Sequence, residues 1–230
     1  MDITTAAFWA ALGSIIFTNI ILSGDNAVVI ALAARSLPPA QQKKAIFWGS
    51  AAAIVLRIIL TLVAAQLLQQ PYLKIVGGVL LLYIGVQLLI EEEEEIEDGT
   101  DNQPKGMLAA VRTILIADLV MSLDNVIAVA AAAKDSVTLL ILGLAISIPL
   151  IIFGSTMLLK VMERFPIIIT LGGALLGYLA GEMVATDPGL AQWIGPVSHI
   201  AANIAGAVGA VVVVAIGMLI RRRQAQRAAA

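Results

Sequence analysis

Long apolar runs separated by short polar breaks dominate this chain, and their lengths decide its elements. An α-helix needs about 20 predominantly apolar residues to cross a bilayer. Runs of that order occupy residues 8–34, 44–69, 73–90, 107–133, 137–162, 167–185 and 197–220, which predicts about seven transmembrane helices. The breaks carry turn chemistry: paired prolines and basic residues in SLPPAQQKK, then Gln70-Pro71, Lys134-Asp135 and the ERFP turn. Residues 91–106 are different, being acidic, Gly- and Pro-containing and without apolar periodicity. The expected fold is an all-α polytopic membrane protein. Residues 1–90 form a first three-helix repeat, 91–106 an acidic cytoplasmic linker, 107–185 a second three-helix repeat, and 186–230 a seventh helix with a basic tail.

A duplication sharpens that division. Ser23, Asp25 and Asn26 in IFTNIILSGDNAVVIA recur 99 residues later as Ser122, Asp124 and Asn125 in ILIADLVMSLDNVIAVA. Three spans per half bring the second copy into the membrane from the opposite side, as in an inverted-topology repeat, whose substrate site lies near the midplane. A second echo, GGVLLLYIG at 77–85 and GGALLGYLAG at 172–181, supports the pairing of the halves, although small residues alone signal only close helix packing.

Composition removes most alternatives. The 230 residues are 60% hydrophobic and 13% charged, with mean hydropathy +0.97, which is too apolar for a soluble domain. Without cysteine, and with His199 as the sole histidine, thiolate and imidazole-rich sites are excluded, so any metal must be held mainly by oxygen. The amino terminus lacks the pattern of a cleaved signal peptide, and the first apolar run is expected to remain as a helix. Placing that terminus outside gives the cytoplasm Arg35, Lys43, Lys44, Lys105, Arg112, Lys160, Arg164, Arg221, Arg222, Arg223 and Arg227, and leaves only Lys74 and Lys134 outside. The positive-inside rule favours this orientation, in a bacterial plasma membrane with a cytoplasmic carboxyl terminus.

The candidate chemistry lies in the duplicated motif. A charged side chain inside a span costs at least about 2.5–3.5 kcal/mol on insertion scales, and such residues mark ion, proton or substrate sites more often than they serve as packing glue. Asn19, Ser23 and Asn26 share a helical face, as do Asp118, Ser122 and Asn125. Gly24 can relax the first helix and swing Asp25 into line, whereas Leu123 occupies the matching position in the second copy. Counting about 1.5 Å per residue from the span centres brings Asp25 and Asp118 to neighbouring depths, with Asp124 and Asn19 at an outer level. Arg57 falls near the centre of the second span, too deep to snorkel easily, and is read as a counter-charge for the aspartates. Glu182 divides evenly between an outer ligand or gate and a solvated interfacial carboxylate. The Glu91 to Glu95 run reads as a solvated linker, and His199, Asn203 and Gln87 as groups that satisfy hydrogen bonds between helices.

Carboxylates, carboxamides and hydroxyls suit magnesium, calcium or manganese, so a hard divalent cation is the inferred cargo. Asp25, Asp118 and Asp124 with Arg57 leave a charge that such an ion would neutralise and that protons could replace, the outline of an exchange cycle. The expected metal ligands are Asp25, Asn26, Asp118, Asp124, Asn125 and Asn19, supported by Arg57, Ser23, Ser122 and Glu182. No resident cofactor, enzymatic activity or nucleic-acid partner is expected. The partners are the bilayer and the metal ion, with a homo-oligomer left open.

Through LSGDNAVVIALAA, Arg57 and SLDNVIAVAAAA the chain resembles the TerC family of bacterial membrane proteins, in particular its small single-domain members. That resemblance implies manganese efflux and kinship with small exporters that include the lysine exporters. It carries Asp25, Asn26, Asp124 and Asn125 onto the family's motif positions. Tellurite resistance, which the family name records, has no chemical explanation in these residues. Two other functional classes compete with this one. An intramembrane aspartyl protease needs only a carboxylate pair sharing a proton, and a duplicated Asp-Asn with serine stripes fits a coordination shell better. A noncatalytic accessory protein, linked to tellurite or metal stress, would use the polar stripes to bind a partner helix.

Overall fold

A computed structural model of the chain describes residues 4–21, 24–67, 70–90, 103–133 and 137–228. Within them, the side chains of 7, 18–21, 63–67, 103–105, 124–133, 137, 139 and 228 are outside the description. All regular structure among the described residues is helical: α1 (Ala6–Ile21), α2 (Gly24–Ala34), α3 (Pro39–Leu67), α4 (Leu73–Ile90), α5 (Gln103–Ala133), α6 (Val137–Arg164), α7 (Ile167–Ala185), α8 (Pro188–Ile194) and α9 (His199–Ala228). Six of these, α3 to α7 and α9, are long and apolar enough to cross a membrane. The expected first span corresponds to α1 and α2, each too short by itself, with residues 22 and 23 outside the description.

Several boundaries lie beyond those read from hydropathy, because helix formation does not stop where the apolar run does. α3 begins at Pro39, whose missing N–H costs nothing at a first helical position, while the Pro38 carbonyl accepts the N–H groups of Gln41 and Gln42. α9 continues through RRRQAQR, residues with high helix propensity, and α5 starts inside the expected linker. α8 follows Asp187-Pro188-Gly189, an N-cap signature that hydropathy does not register.

The long helices are apolar on the outside and polar within. On α3 the exposed face carries Trp48, Val55, Ile59 and Leu62, whereas Ser50 and Arg57 are buried. That inversion is what a hydrocarbon solvent selects, since polar side chains in a span face the protein interior. The protein is an integral, multi-pass membrane protein.

Contacts group the helices into two compact units that do not follow chain order. The first comprises Met1–Ala34, Pro38–Gln69 and Met107–Leu159, and thus α1, α2, α3, most of α5 and α6 as far as Leu159. Here the Gly49 position on α3 packs against the Ile114 side chain on α5, where an added Cβ would lie 2.7 Å from Cδ1, and Arg57 reaches Asp118 and Ser122 further along. Two ascending contacts mean that α3 and α5 run parallel. By the same reasoning α6 runs parallel to α1 and α2, since Gly143 packs on Ile15 and Gly154 on Ala27.

The second unit comprises Arg35–Leu37, Gln70–Gly106 and Lys160–Ala230, with α4, α7, α8 and α9 at its centre. Close backbone approach requires glycine here: a Cβ at Gly177 would collide with the Gly209 carbonyl, and one at Gly181 with the Ala205 carbonyl. These pairs run α7 antiparallel to α9. Gly78 packs on Ala180 and Val184, and Gly85 on Leu176, so α4 is also antiparallel to α7, and the two echoing glycine segments of the sequence lie against each other. Arg35 donates from Nη2 to the Leu88 carbonyl at 2.7 Å, satisfying a carbonyl in the last turn of α4.

Candidate functional site

The polar centre of the first unit is built on α3 and α5. Arg57 on α3 is 1% exposed, Asp118 5% and Ser122 0%. The guanidinium donates from Nη2 to Asp118 Oδ1 and from Nε to Ser122 Oγ at 3.0 Å, and Ser122 Oγ donates to Asp118 Oδ2 at 3.3 Å. Asp118 and Ser122 are four residues apart, which places both over one turn of α5 toward α3. The triangle is closed. A buried ion pair of this kind persists only when hydrogen bonds satisfy the rest of each ion, and here the serine bridges both. Thr61 donates back to the Arg57 carbonyl at 2.7 Å, one turn further along α3.

Asp25 belongs to the same unit. It is half-buried, its Oδ1 accepts the Asn26 N–H at 2.8 Å, and it lies within electrostatic range of both Arg57 and Asp118. Asn26 is 2% exposed. Asp25, Asn26, Arg57, Asp118 and Ser122 therefore share one unit, with Arg57 bonded to the second-copy residues. Among the described residues, no three His, Cys, Asp or Glu side chains gather closely enough to hold a metal between them. The expected ligands Asp124, Asn125 and Asn19, together with Ser23, lie outside the described side chains. So does the loosening expected at Gly24, because it falls beside residues 22 and 23. Glu182 sits half-buried near the end of α7, in the second unit, where its carbonyl accepts the Thr186 N–H. His199 is exposed at the start of α9, and Asn203 accepts from the Tyr178 hydroxyl at 3.0 Å.

Among the described residues, sequence reading missed four buried polar groups. Ser50 on α3 and Ser147 and Ser155 on α6 are in the first unit; Asp187 is in the second. Asp187 has no exposed surface and accepts five backbone N–H groups, from Tyr72, Lys74, Ile75, Gly189 and Leu190. It caps the amino ends of α4 and α8 at once. Burial opposes its ionisation, but the surrounding N–H donors, led by Tyr72, outweigh that and hold the carboxyl below its ordinary value. Tyr72 accepts the strain of a positive φ of 69° to aim its N–H at this carboxylate.

The chain matches the family described as integral membrane protein TerC family over residues 4–226. It belongs to the TerC family. Among its relatives, the uncharacterized membrane protein YjbE of Bacillus subtilis (strain 168) is 41% identical over 182 residues, covering 78% of this chain and 81% of the relative. The uncharacterized membrane protein YceF of the same organism is 27% identical over 191 residues, 80% of this chain and 74% of its own length. No solved structure matches the chain.

Proposed function

We propose that this TerC-family protein exports a hard divalent cation, manganese before others, through a midplane site of aspartates and asparagines, with protons as the counter-cargo. The observation that carries the reading is the enclosed Arg57–Asp118–Ser122 triangle with Asp25 in electrostatic range, inside helices whose outer faces are apolar. Structural packing alone gives no reason to maintain such charges in a bilayer. In this reading Arg57 neutralises Asp118 while the site is empty, and an arriving cation competes with the guanidinium for the same carboxylate. Ser122, already bonded to both, follows the carboxylate. Asp25 and Asn26 supply oxygens from the first copy of the motif, and Asp124 and Asn125 from the second.

The inverted repeat belongs to this proposal. Its support is that α3 runs parallel to α5 and α6 parallel to α1 and α2, while the echoing segments of α4 and α7 pack antiparallel. Manganese suits oxygen donors and tolerates a partly dehydrated site better than magnesium, which dehydrates reluctantly.

The test is flux into liposomes by the purified protein. Asp25→Asn and Asp124→Asn preserve shape while deleting an anionic ligand, and each should abolish manganese flux with membrane insertion intact. Manganese transport by both variants at the unmodified rate would sink the proposal.

A further inference from the structure

The short helix α8 of the second unit turns its largest side chains away from the protein. Trp193 is 80% exposed and Ile194 66%, and Ile200 in the first turn of α9 is 73% exposed. No residue of α8 is charged. An apolar pair of this size needs a cover, because a tryptophan ring has more apolar surface to remove from water than almost any other side chain.

The level of α8 along the bundle identifies that cover. Asp187 accepts N–H groups at the start of α4, from Tyr72, Lys74 and Ile75, and at the start of α8, from Gly189 and Leu190, so the two helices begin side by side. Trp193 Nε1 donates to the Tyr72 hydroxyl at 3.4 Å, and a Cβ added at Gly189 would lie 2.9 Å from the Tyr72 ring. Only Thr186 and Asp187 separate the end of α7 from α8. With 18 and 19 residues, α4 and α7 are about 27 and 28 Å long, close to the roughly 30 Å hydrocarbon core, so their ends mark its boundaries. α8 lies at one boundary. At the other, where α7 begins, Phe165 is 52% exposed, with the Arg164 guanidinium 5.9 Å from its ring centre. Rings at both ends of an apolar bundle are what the two water–lipid interfaces select. The exposed apolar surface also continues from Ile200 through Ile204, Val208 and Val211 along the outer face of α9, which hydrocarbon covers.

We propose that α8 is an interfacial anchor, with Trp193 and Ile194 inserted among the lipid carbonyl and headgroup atoms of the leaflet where α7 ends. Asp187 passes that hold to the start of α4. Partition between polar and apolar surroundings is sufficient, because α8 has no basic side chain with which to choose an anionic headgroup. The anchoring is independent of any transported ion.

Trp9→Phe with Trp48→Phe leaves Trp193 as the sole tryptophan, since the chain has three. In proteoliposomes of phosphatidylcholine brominated near the carbonyl end of its chains, Trp193 emission should fall at least about twofold, and bromine near the chain terminus should quench less. Aqueous iodide should quench it about threefold less than free tryptophan. Adding phosphatidylglycerol should change neither result; bromolipid quenching that appears only with it overturns the neutral anchor in favour of a headgroup-specific site. Ile194→Cys places a single thiol in a cysteine-free chain, so a spin label there reads the same surface with all tryptophans present. Its collisions with oxygen should exceed those with a water-soluble nickel complex, as at Leu171→Cys on the lipid-facing side of α7 and unlike exposed Arg227→Cys at the far end of α9. Iodide quenching equal to that of free tryptophan, or nickel access at Ile194→Cys equal to that at Arg227→Cys, overturns the anchor and leaves α8 in water.

Discussion

Arg57 and Asp187 solve the same problem in different solvents. In the membrane interior Arg57 relies on Asp118 and Ser122, and removing either ionic partner leaves the other charge buried. Arg57→Gln should therefore destabilise the protein by about 3–5 kcal/mol, and adding Asp118→Asn should restore much of that loss rather than add to it. Thermal unfolding of the single and double variants in detergent measures the coupling; additive losses would mean the two side chains act separately. Asp187, outside the spans, relies on five backbone donors. Its ionised form is stabilised by folding, so its contribution is complete above the ordinary aspartate value of 3.8 and is lost as pH falls through the lower value in the folded protein. Tm should drop on acidification below about pH 3.8 in the unmodified protein. Asp187→Asn should already be less stable at neutral pH, by about 3 kcal/mol, and its Tm should show a shallower drop in that range. The contrast explains what was legible. A lone arginine at mid-span stands out against hydropathy, and its partner stripe follows from a four-residue spacing. The donors to Asp187 are backbone groups, three of them 112 to 115 residues away, which no side-chain pattern reports. Ser50 and Ser155 look in sequence like any other helix serine.

At the scale of elements, apolar run length fixed the long helices because a bilayer demands one length, and it failed where helix propensity or capping took over, at the start of α3, the end of α9 and α8. Glycine patterning was legible as close packing, and the partners were not, since Gly177 and Gly181 meet Gly209 and Ala205 on α9 rather than another copy of their own motif. Gly177→Leu should separate α7 from α9 and lower Tm by several degrees, because the obstacle is backbone that cannot move aside. The outer-face substitution Leu171→Ala removes a lipid-facing side chain and should leave Tm nearly unchanged. Equal effects of the two changes would contradict the glycine seam.

For the whole molecule, the charge bias predicts an outside amino terminus and a cytoplasmic carboxyl terminus. Reporter fusions after Lys134 and after Ala230 should give signals from opposite sides; signals from the same side would remove the inverted repeat. The acidic segment at 91–106 divides the chain in sequence, yet the compact units cross that division several times. Such interleaving is invisible to composition, which sees neighbours along the chain and not across it.

The order of synthesis turns that interleaving into a hazard. Arg57 leaves the ribosome 61 residues ahead of Asp118, a delay of about 3–12 s at ordinary elongation rates. For that interval the nascent first half carries Arg57 without Asp118. Any stall in the acidic segment prolongs it, so membrane proteases and insertion chaperones meet this protein before the Arg57–Asp118 pair has formed.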